Sequence, residues 1–276
     1  MSGFFWICTE ITIDKEKCTR CGTCAKVCPS CILEMDTEGP VCINDLSCMS
    51  CGHCVAVCPT GALDNSRCPK AEMDPITRPM LDPDTALEFL RQRRSIRNFR
   101  DELVPEEKIR QLLEAARFAP TAANSQGMYY LVIQDRDLIK KITDCVADWM
   151  QEQIDNKSPQ KRYFIKVLHV YRERGIDIIG RNARQLIFVL ARRLNVTGPS
   201  NSEQSLAYAE LYAPTLGLGT TIMGFIETCL RADYAPLREL LQIPTKQVGV
   251  GCLLVGYPRY RYHKLVDRQH LKVEFR

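Results

Sequence analysis

A cysteine run that occurs twice near the N-terminus constrains this chain more than any other feature. Each copy has the spacing Cys-x2-Cys-x2-Cys-x3-Cys-Pro, and the copies begin at Cys18 and Cys48. Thiolates are soft ligands that favour iron–sulfur clusters, and three cysteines at this spacing can hold three corners of a cubane while a fourth arrives from elsewhere. The repeat therefore predicts two 4Fe-4S clusters and electron transfer.

The fourth cysteine of each run is expected to serve the opposite cluster, as it does in bacterial chains that hold two clusters with this spacing. The predicted ligands are Cys18, Cys21, Cys24 and Cys58 for cluster one, and Cys48, Cys51, Cys54 and Cys28 for cluster two. Zinc also takes Cys-x2-Cys pairs and is the alternative. Zinc needs only four ligands from two pairs, so it leaves the third cysteine and the proline of each run unexplained.

The cysteine content also bears on the compartment. The chain has 276 residues and 15 cysteines, and disulfides and cluster thiolates need opposite redox conditions, so the cysteines indicate a reduced cytoplasm. Residues 3–10 are apolar but follow no basic residue, so we do not expect a signal peptide, and no segment approaches the length of a membrane span. His53 is expected to be a cluster neighbour. Cys31 has redox-motif spacing from Cys28 but is expected to be a packing residue, because Cys28 is already a cluster ligand. Seven cysteines remain outside the two ligand sets: Cys8, Cys31, Cys42, Cys68, Cys145, Cys229 and Cys252.

The formal charge of +4 does not indicate nucleic-acid binding. Two oxidised clusters with thiolate ligands would carry about −2 each, which nearly neutralises the chain. The basic residues are instead clustered at 91–100 and at 259–264. Local clusters of this kind bind specific anions.

Residues 1–74 are predicted to form an internal repeat, in which short β-prone stretches at 11–13, 32–35 and 41–43 accompany the cysteine runs. Such a unit has little apolar core, so we expect it to fold poorly without iron. A spaced series of prolines then marks residues 75–84 as a linker. A second domain is expected over residues 85–276.

Helices and strands interleave in the second domain, which indicates an α+β or α/β layered fold. Asp84 is expected to cap a first helix, and Pro105 to open a second. Further elements are predicted as strands at 128–134, 186–190 and 247–255, and as helices at 138–150 and 202–216. The charged region 151–185 is expected to hold an amphipathic surface helix or a lid, with three candidate pocket residues, Tyr163, Phe164 and Tyr171.

Three separated segments of this domain carry groups suited to a phosphorylated, planar ligand. Residues 93–99 combine arginine forks with a serine hydroxyl, which suits a phosphate monoester. Residues 119–127 form a turn of small and amide side chains that offers hydrogen bonds to a heterocycle. Residues 217–225, followed by 256–258 and a basic tail, contain glycines that permit close backbone approach to a flat ligand.

Taken in this order, the three segments resemble the nitroreductase-like family of FMN-dependent oxidoreductases, and the N-terminal repeat resembles clostridial-type two-cluster ferredoxins. The most similar proteins would be fusions of the two from anaerobes. The resemblance implies an α+β fold class, with a nitroreductase-like FMN-binding α/β sandwich preceded by a small ferredoxin-like domain. It also implies FMN and two 4Fe-4S clusters as cofactors, and a domain-entwined homodimer in which both chains build each FMN site.

The resemblance assigns FMN contacts residue by residue. The family's Arg-x-Ser-x-Arg run, which holds the phosphate and ribityl chain, points to Arg93, Ser95 and Arg97, with Arg94 adjacent. The family's turn against the flavin corresponds to Pro120, Thr121, Ala122, Asn124 and Gln126. The backbone amides near the flavin N5 would be those of Ile222, Met223 and Gly224. The last basic pair, which would return to the phosphate, maps to Lys264 and Arg268, although Lys264 replaces the family's arginine.

The electron donor is expected to be reduced ferredoxin or another low-potential donor. Met223 stands where some relatives have a glutamate that helps receive a nicotinamide, and neither glycine pair completes a G-x-G-x-x-G pattern, so direct use of NAD(P)H is not favoured. The resemblance implies flavin-centred chemistry without a catalytic side chain, acting on a small acceptor such as a nitroaromatic, quinone or activated alkene. One alternative is an electron-transfer or redox-sensing module that acts on a protein partner. Another is that the clusters only stabilise the fold.

Overall fold

The computed structural model describes residues 10–276. They divide into two compact units, one that runs to Met80 and includes Ala123–Ser125, and one formed by Leu81–Ala122 with Gln126–Arg276. The predictions for Cys8 and for the apolar stretch before Glu10 lie outside the described residues. Within the described residues, no helix is both long and apolar enough to cross a bilayer.

The first unit repeats one pattern twice. Strand β1 (Ile11–Ile13) pairs antiparallel with β4 (Leu63–Asn65), and β2 (Leu33–Met35) pairs antiparallel with β3 (Pro40–Cys42). Two short helices, α1 (Thr23–Val27) and α2 (His53–Ala56), contain the third cysteine of each run. The β-prone stretches predicted at 11–13, 32–35 and 41–43 are therefore strands to within a residue, whereas β4 was not predicted.

Backbone strain recurs at matching positions of the two halves. Left-handed φ angles between 51° and 72° occur thirty residues apart in three pairs: Arg20 and Ser50, Gly22 and Gly52, and Cys31 and Gly61. Glycine adopts this conformation freely, whereas other residues need the surrounding structure to hold them there. The paired angles show that both cysteine runs follow the same path.

The second unit contains seven helices among its described residues. They are α3 (Pro83–Gln92), α4 (Glu106–Arg117), α5 (Arg136–Asp155), α6 (Lys161–Leu168), α7 (Gly198–Tyr212), α8 (Gly224–Arg231) and α9 (Ala235–Leu240). The cap predicted at Asp84 is wrong: the Asp82 carboxylate accepts from the amides of Asp84 and Thr85, because Pro83 already occupies the first helical position. The helix predicted at 202–216 begins earlier and ends at Tyr212, where a 3-10 turn containing Pro214 follows.

A four-stranded antiparallel sheet forms the centre of this unit. Its strands are β5 (Tyr129–Ile133), β6 (Gln185–Arg192), β7 (Gly219–Ile222) and β8 (Gln247–Gly256), in the order β5-β6-β8-β7. Alternate residues of β6 enter opposite cores: Phe188 packs with α5, α6, α8 and α9, while Val189 packs with α4 and α7. The sheet is thus covered by helices on both faces, which confirms the predicted α/β sandwich.

Candidate cluster and flavin sites

Two small cavities in the first unit gather the eight predicted cluster ligands crosswise. The first cavity is lined by Cys18, Cys21 and Cys24 from one run and by Cys58 from the other. The second is lined by Cys48, Cys51 and Cys54, together with Cys28. Each cavity therefore holds the soft four-thiolate ligand set that a 4Fe-4S cluster requires.

Hydrogen-bond donors already point at the cavity sulfurs. The amide of Ala62 donates to Cys58 Sγ over 3.2 Å, and the Thr23 hydroxyl donates to Cys21 Sγ over 3.3 Å. In the second cavity, the Ser50 amide and the Asn65 side-chain amide approach the Cys48 sulfur at 3.4 and 3.5 Å. Donors of this kind stabilise charge on a thiolate and help set a cluster's potential, so the residues present fit the predicted cofactor.

The arginine run of the second unit is held between β7 and the segment that follows β8. Ser95 forms a parallel bridge with Thr220, and the Ile96 amide donates to the Thr220 carbonyl over 2.8 Å. On the other side, the Arg100 amide donates to the Tyr257 carbonyl over 2.8 Å. The structure thus brings together the first and third predicted ligand-binding segments, which are more than a hundred residues apart in sequence.

Gly219 makes this junction possible. A Cβ at Gly219 would lie 2.5 Å from Ile96 Cγ1 and 2.9 Å from Pro258 Cγ, distances that real carbon contacts do not reach. The glycine therefore permits close packing of three chain segments. The sequence predicted that glycines in this region let the backbone approach a flat ligand. At Gly219 the backbone instead approaches side chains of the protein itself, those of Ile96 and Pro258.

Cationic side chains surround Ser95 and fit a phosphate. Arg93 donates to the Ser95 hydroxyl over 3.3 Å, and Arg97 donates to the Ser95 carbonyl over 3.4 Å. Arg181 joins this group: burial, and then the nearby charge of Arg97, lower the pKa of Arg181, and its Nε–H donates to no partner among residues 10–276. Arginines packed this closely need an anion, and a phosphate ester would supply two negative charges.

Glu210 places a buried carboxyl beside these arginines. Its Oε1 lies 3.6 Å from the Arg93 guanidinium but has no hydrogen-bond partner within the described chain. Burial raises the pKa of the Glu210 carboxyl, and the cations of Arg93 and Arg97 oppose that rise. Sequence analysis missed both Glu210 and Arg181, because neither stands in a recognisable pattern.

A cavity of about 780 Å³ opens next to this cluster. Arg94 and Lys264 line it among the predicted FMN residues, together with Glu210, and the Arg94 guanidinium stacks 5.6 Å from the Tyr262 ring centroid. Arg268 is exposed and is not among the lining residues that the structure describes. The basic walls and the size of the cavity suit a phosphorylated ligand.

The predicted flavin-N5 segment spans the end of β7 and the start of α8. The Met223 amide is already used, since it donates to the Cys252 carbonyl over 3.1 Å. Gly224 begins α8, so its amide has no partner inside the helix and is available to a ligand. Ile222 is 37% exposed, which leaves the segment accessible from solvent.

The turn at 120–126 is strained, and its residues fall in both units. Ala123, Asn124 and Gln126 all have left-handed φ angles between 46° and 51°. The Asn124 side chain belongs to the first unit, where it donates to the carbonyls of Met49 and Ser50 over 3.1 and 2.9 Å. In the second unit, the Gln126 amide donates to the Thr121 hydroxyl over 3.0 Å. No described residue of the turn lines the 780 Å³ cavity.

The candidate pocket residues of the 151–185 region have three different environments. Phe164 is buried against Trp149, with ring centroids 5.5 Å apart, so it is a core residue. Tyr171 donates to the Asp144 carboxylate over 2.8 Å from a turn of π-helix. Tyr163 is 58% exposed and lies 5.6 Å from the Phe225 ring, beside the start of α8. Tyr163 alone remains a candidate for contact with a ligand.

Comparison with known proteins defines the class of this chain. The model of the nitroreductase family matches residues 90–257, and that of a 4Fe-4S dicluster domain matches residues 10–59. The chain therefore belongs to the nitroreductase family of oxidoreductases and carries an N-terminal 4Fe-4S dicluster domain. The two-part resemblance inferred from the cysteine runs and the arginine run is confirmed.

Individual relatives match about two thirds of this chain. An NAD(P)H FMN reductase of Bacillus subtilis is 27% identical over 178 residues, which cover 64% of this chain and 68% of that protein. Iodotyrosine deiodinase 1 of Mus musculus is 26% identical over 62% of this chain and 61% of its own length. The crystal structure of a nitroreductase with bound FMN from Desulfitobacterium hafniense aligns with a TM-score of 0.55 at 18% identity, over 71% of this chain and all of that one.

Proposed function

We propose that this protein is an FMN-dependent oxidoreductase that accepts low-potential electrons at its two clusters and delivers them through FMN to a small electron-poor molecule. The observation that carries the proposal is the pair of cavities with crosswise four-cysteine linings, present in the same chain as a nitroreductase-family domain. Such clusters transfer single electrons. FMN, when bound, converts one-electron transfer into two-electron chemistry.

Binding of FMN would fall to the residues around Ser95. Arg93 and Arg97 would hold the phosphate with the Ser95 hydroxyl, and Arg181 would add a third guanidinium. The free amide of Gly224 would face the flavin ring from the start of α8. No side chain of the chain needs to act as a nucleophile, so its role is to orient the ligand and to exclude water.

Asn124, which the family resemblance assigns to FMN binding, lies in the first unit. Its side-chain amide donates to the carbonyls of Met49 and Ser50, which lie between two ligands of cluster two. A change at this cluster loop would therefore disturb Asn124 directly.

A homodimer is supported by the C-terminal tail. Every residue from 259 to 276 is exposed, including apolar side chains such as Leu271 at 85% and Phe275 at 92%. Apolar groups presented along an extended segment mark an interaction surface. A second copy of the chain would cover them, and truncation after Pro258 should then yield a monomer in light scattering.

The experiment that tests the relay follows flavin bleaching without oxygen. The protein is reconstituted with iron, sulfide and FMN, then mixed with reduced ferredoxin or with NADPH, in the unmodified, Cys54→Ala and Cys31→Ala forms. Cys54 is buried and lines the second cavity, whereas Cys31 is exposed and is the matched control. We expect ferredoxin to bleach the flavin in all forms except Cys54→Ala.

The contrary outcome is reduction by a nicotinamide, the donor in the name of the Bacillus subtilis relative. Equal bleaching by NADPH in the Cys54→Ala and unmodified proteins, with no advantage for ferredoxin, would show a nicotinamide-driven enzyme whose clusters are not on the path. The acceptor is then sought among nitroaromatics, quinones and activated alkenes, with halogenated aromatics added because of the name of the mouse relative.

A further inference from the structure

A fifth cysteine lies beside the second cluster cavity. Cys68 follows β4, is half-buried, and belongs to neither cysteine run. A Cβ built on Gly52, the residue after the ligand Cys51, would lie 3.8 Å from Cys68 Sγ. The Cβ of Cys68 would lie 4.0 Å from the same point. The Cys68 side chain therefore packs against the loop that carries the ligand Cys51.

Hydrogen bonds also link Cys68 to Cys48, another ligand in this cavity. Its amide donates to the Asn65 carbonyl over 3.0 Å, and the Asn65 side-chain amide approaches Cys48 Sγ at 3.5 Å. Asn65 is 1% exposed, so this connection is rigid. Cys68 is thus held next to the cavity by a buried residue that itself contacts a ligand sulfur.

The first cavity has a different neighbour at the equivalent place. Gly22 corresponds to Gly52 in the repeat, and a Cβ on Gly22 would meet Cγ and Sδ of Met35 at 3.7 and 3.8 Å. A thioether is a poor replacement for a thiolate, because it carries no charge to neutralise the iron. At Gly52 the Cβ would also meet Cε of Met73, at 3.0 Å. A methionine therefore stands beside both glycines, and only Gly52 has a thiol beside it as well.

We infer that Cys68 is a reserve ligand of cluster two, able to replace Cys51 or Cys48 at one corner iron when that cysteine is lost. In the exchange the Cys68 thiol would release its proton to solvent and bind one iron as a thiolate, while the departing cysteine would leave as a thiolate and take up a proton from solvent. No electron would be transferred. The inference rests on cluster binding and not on the proposed acceptor, so failure of flavin reduction would leave it intact.

Iron and sulfide analysis of reconstituted full-length variants tests this inference. The variants are Cys51→Ala, Cys51→Ala/Cys68→Ala, and the control Cys51→Ala/Cys31→Ala, which removes an exposed thiol instead. We expect about eight iron atoms per chain, the content of two 4Fe-4S clusters, in Cys51→Ala and in the control double variant. The Cys51→Ala/Cys68→Ala protein should fall to about seven if only the corner iron is lost, or to about four if the whole cluster is lost. Cys21→Ala, the counterpart in cluster one, should fall in the same way.

Two results would overturn the inference: loss of iron from cluster two in Cys51→Ala while Cys68 is present, whether of one atom or of four, or retention of all the iron when both cysteines are absent. If Cys51→Ala does not fold, Cys51→Ser provides the second measurement. Resonance Raman and electron paramagnetic resonance spectra should then match an all-cysteine cluster with Cys68 present, and a serine-ligated or three-iron cluster in Cys51→Ser/Cys68→Ala. Identical spectra from these two proteins would exclude a ligand role for Cys68.

Discussion

Replacing Gly249 with alanine should force β8 and α8 apart. Gly249 is buried in β8, and a Cβ there would lie 2.3 Å from both Cγ and Cδ1 of Leu230, in the last turn of α8. Carbon atoms pack at about 3.5–4.0 Å, so one element must move by more than about 1 Å. Overpacking of this kind costs about 1–3 kcal/mol. In a unit of this size each kcal/mol lowers Tm by about 2–4 °C, so we expect a fall of about 2–12 °C.

A double-mutant cycle separates this clash from other effects of alanine. Leu230→Ala removes all three atoms that the new methyl would strike and should by itself cost about 2–5 kcal/mol, because it leaves a cavity. In that background the methyl enters the vacated space, so Gly249→Ala should cost close to nothing. The expected coupling is therefore about 1–3 kcal/mol.

The cycle is measured by guanidinium unfolding at a fixed excess of FMN, because bound ligand adds to apparent stability. Trp149, buried in the second unit, reports the transition in a Trp6→Phe background. Additive costs, or an unchanged Tm in Gly249→Ala, would refute the packing argument.

Four further outcomes are expected. Arg97→Ala should weaken FMN binding about ten- to a hundredfold, because it removes a charge-assisted hydrogen bond. An unchanged Kd for FMN in a fluorescence titration would show that Arg97 does not bind the phosphate. Burial raises the pKa of the Glu210 carboxyl, and a bound phosphate would raise it further, so FMN affinity should increase as pH falls through that pKa. Glu210→Gln should abolish this pH dependence of FMN affinity. A pH dependence that survives the substitution would show that Glu210 does not lie beside the phosphate. Asn65→Ala should make the potential of cluster two more negative and leave cluster one unchanged in a redox titration, because it removes a donor to Cys48. Chelation of iron should abolish protection from hydrogen exchange in the first unit and leave it unchanged in the second unit. Protection that persists in the first unit would show that this unit folds without its clusters.

The sequence was most informative where a ligand imposes its own spacing. The cysteine runs predict the lining of both cavities, because a cubane fixes which sulfurs must converge whatever the rest of the fold does. A continuous apolar run was also predictable, such as the strand predicted at 186–190 and found at Gln185–Arg192. Two short strands were missed: β4 and β7 have only three and four residues and depend on a partner strand for their structure.

The flavin site was predicted only in part. The run containing Ser95 and the segment containing Gly219 meet as expected, because both belong to a recognisable family pattern. Arg181 and Glu210 reach the same place through tertiary packing, which no local pattern encodes. The amide of Met223 looked available in the sequence, but the Cys252 carbonyl across the sheet already takes it.

The crosswise lining of the two cavities has a consequence for how such a unit could arise. Because Cys28 serves the second cavity and Cys58 the first, neither half contains a complete ligand set. A peptide corresponding to one half would therefore bind clusters only as a pair of identical chains, each lending its last cysteine to the other. If the gene for such a peptide were duplicated and fused, the resulting single chain would at once contain both complete four-cysteine sites. Afterwards each half could diverge alone, and Met35 and Asn65 now occupy matching positions with different side chains.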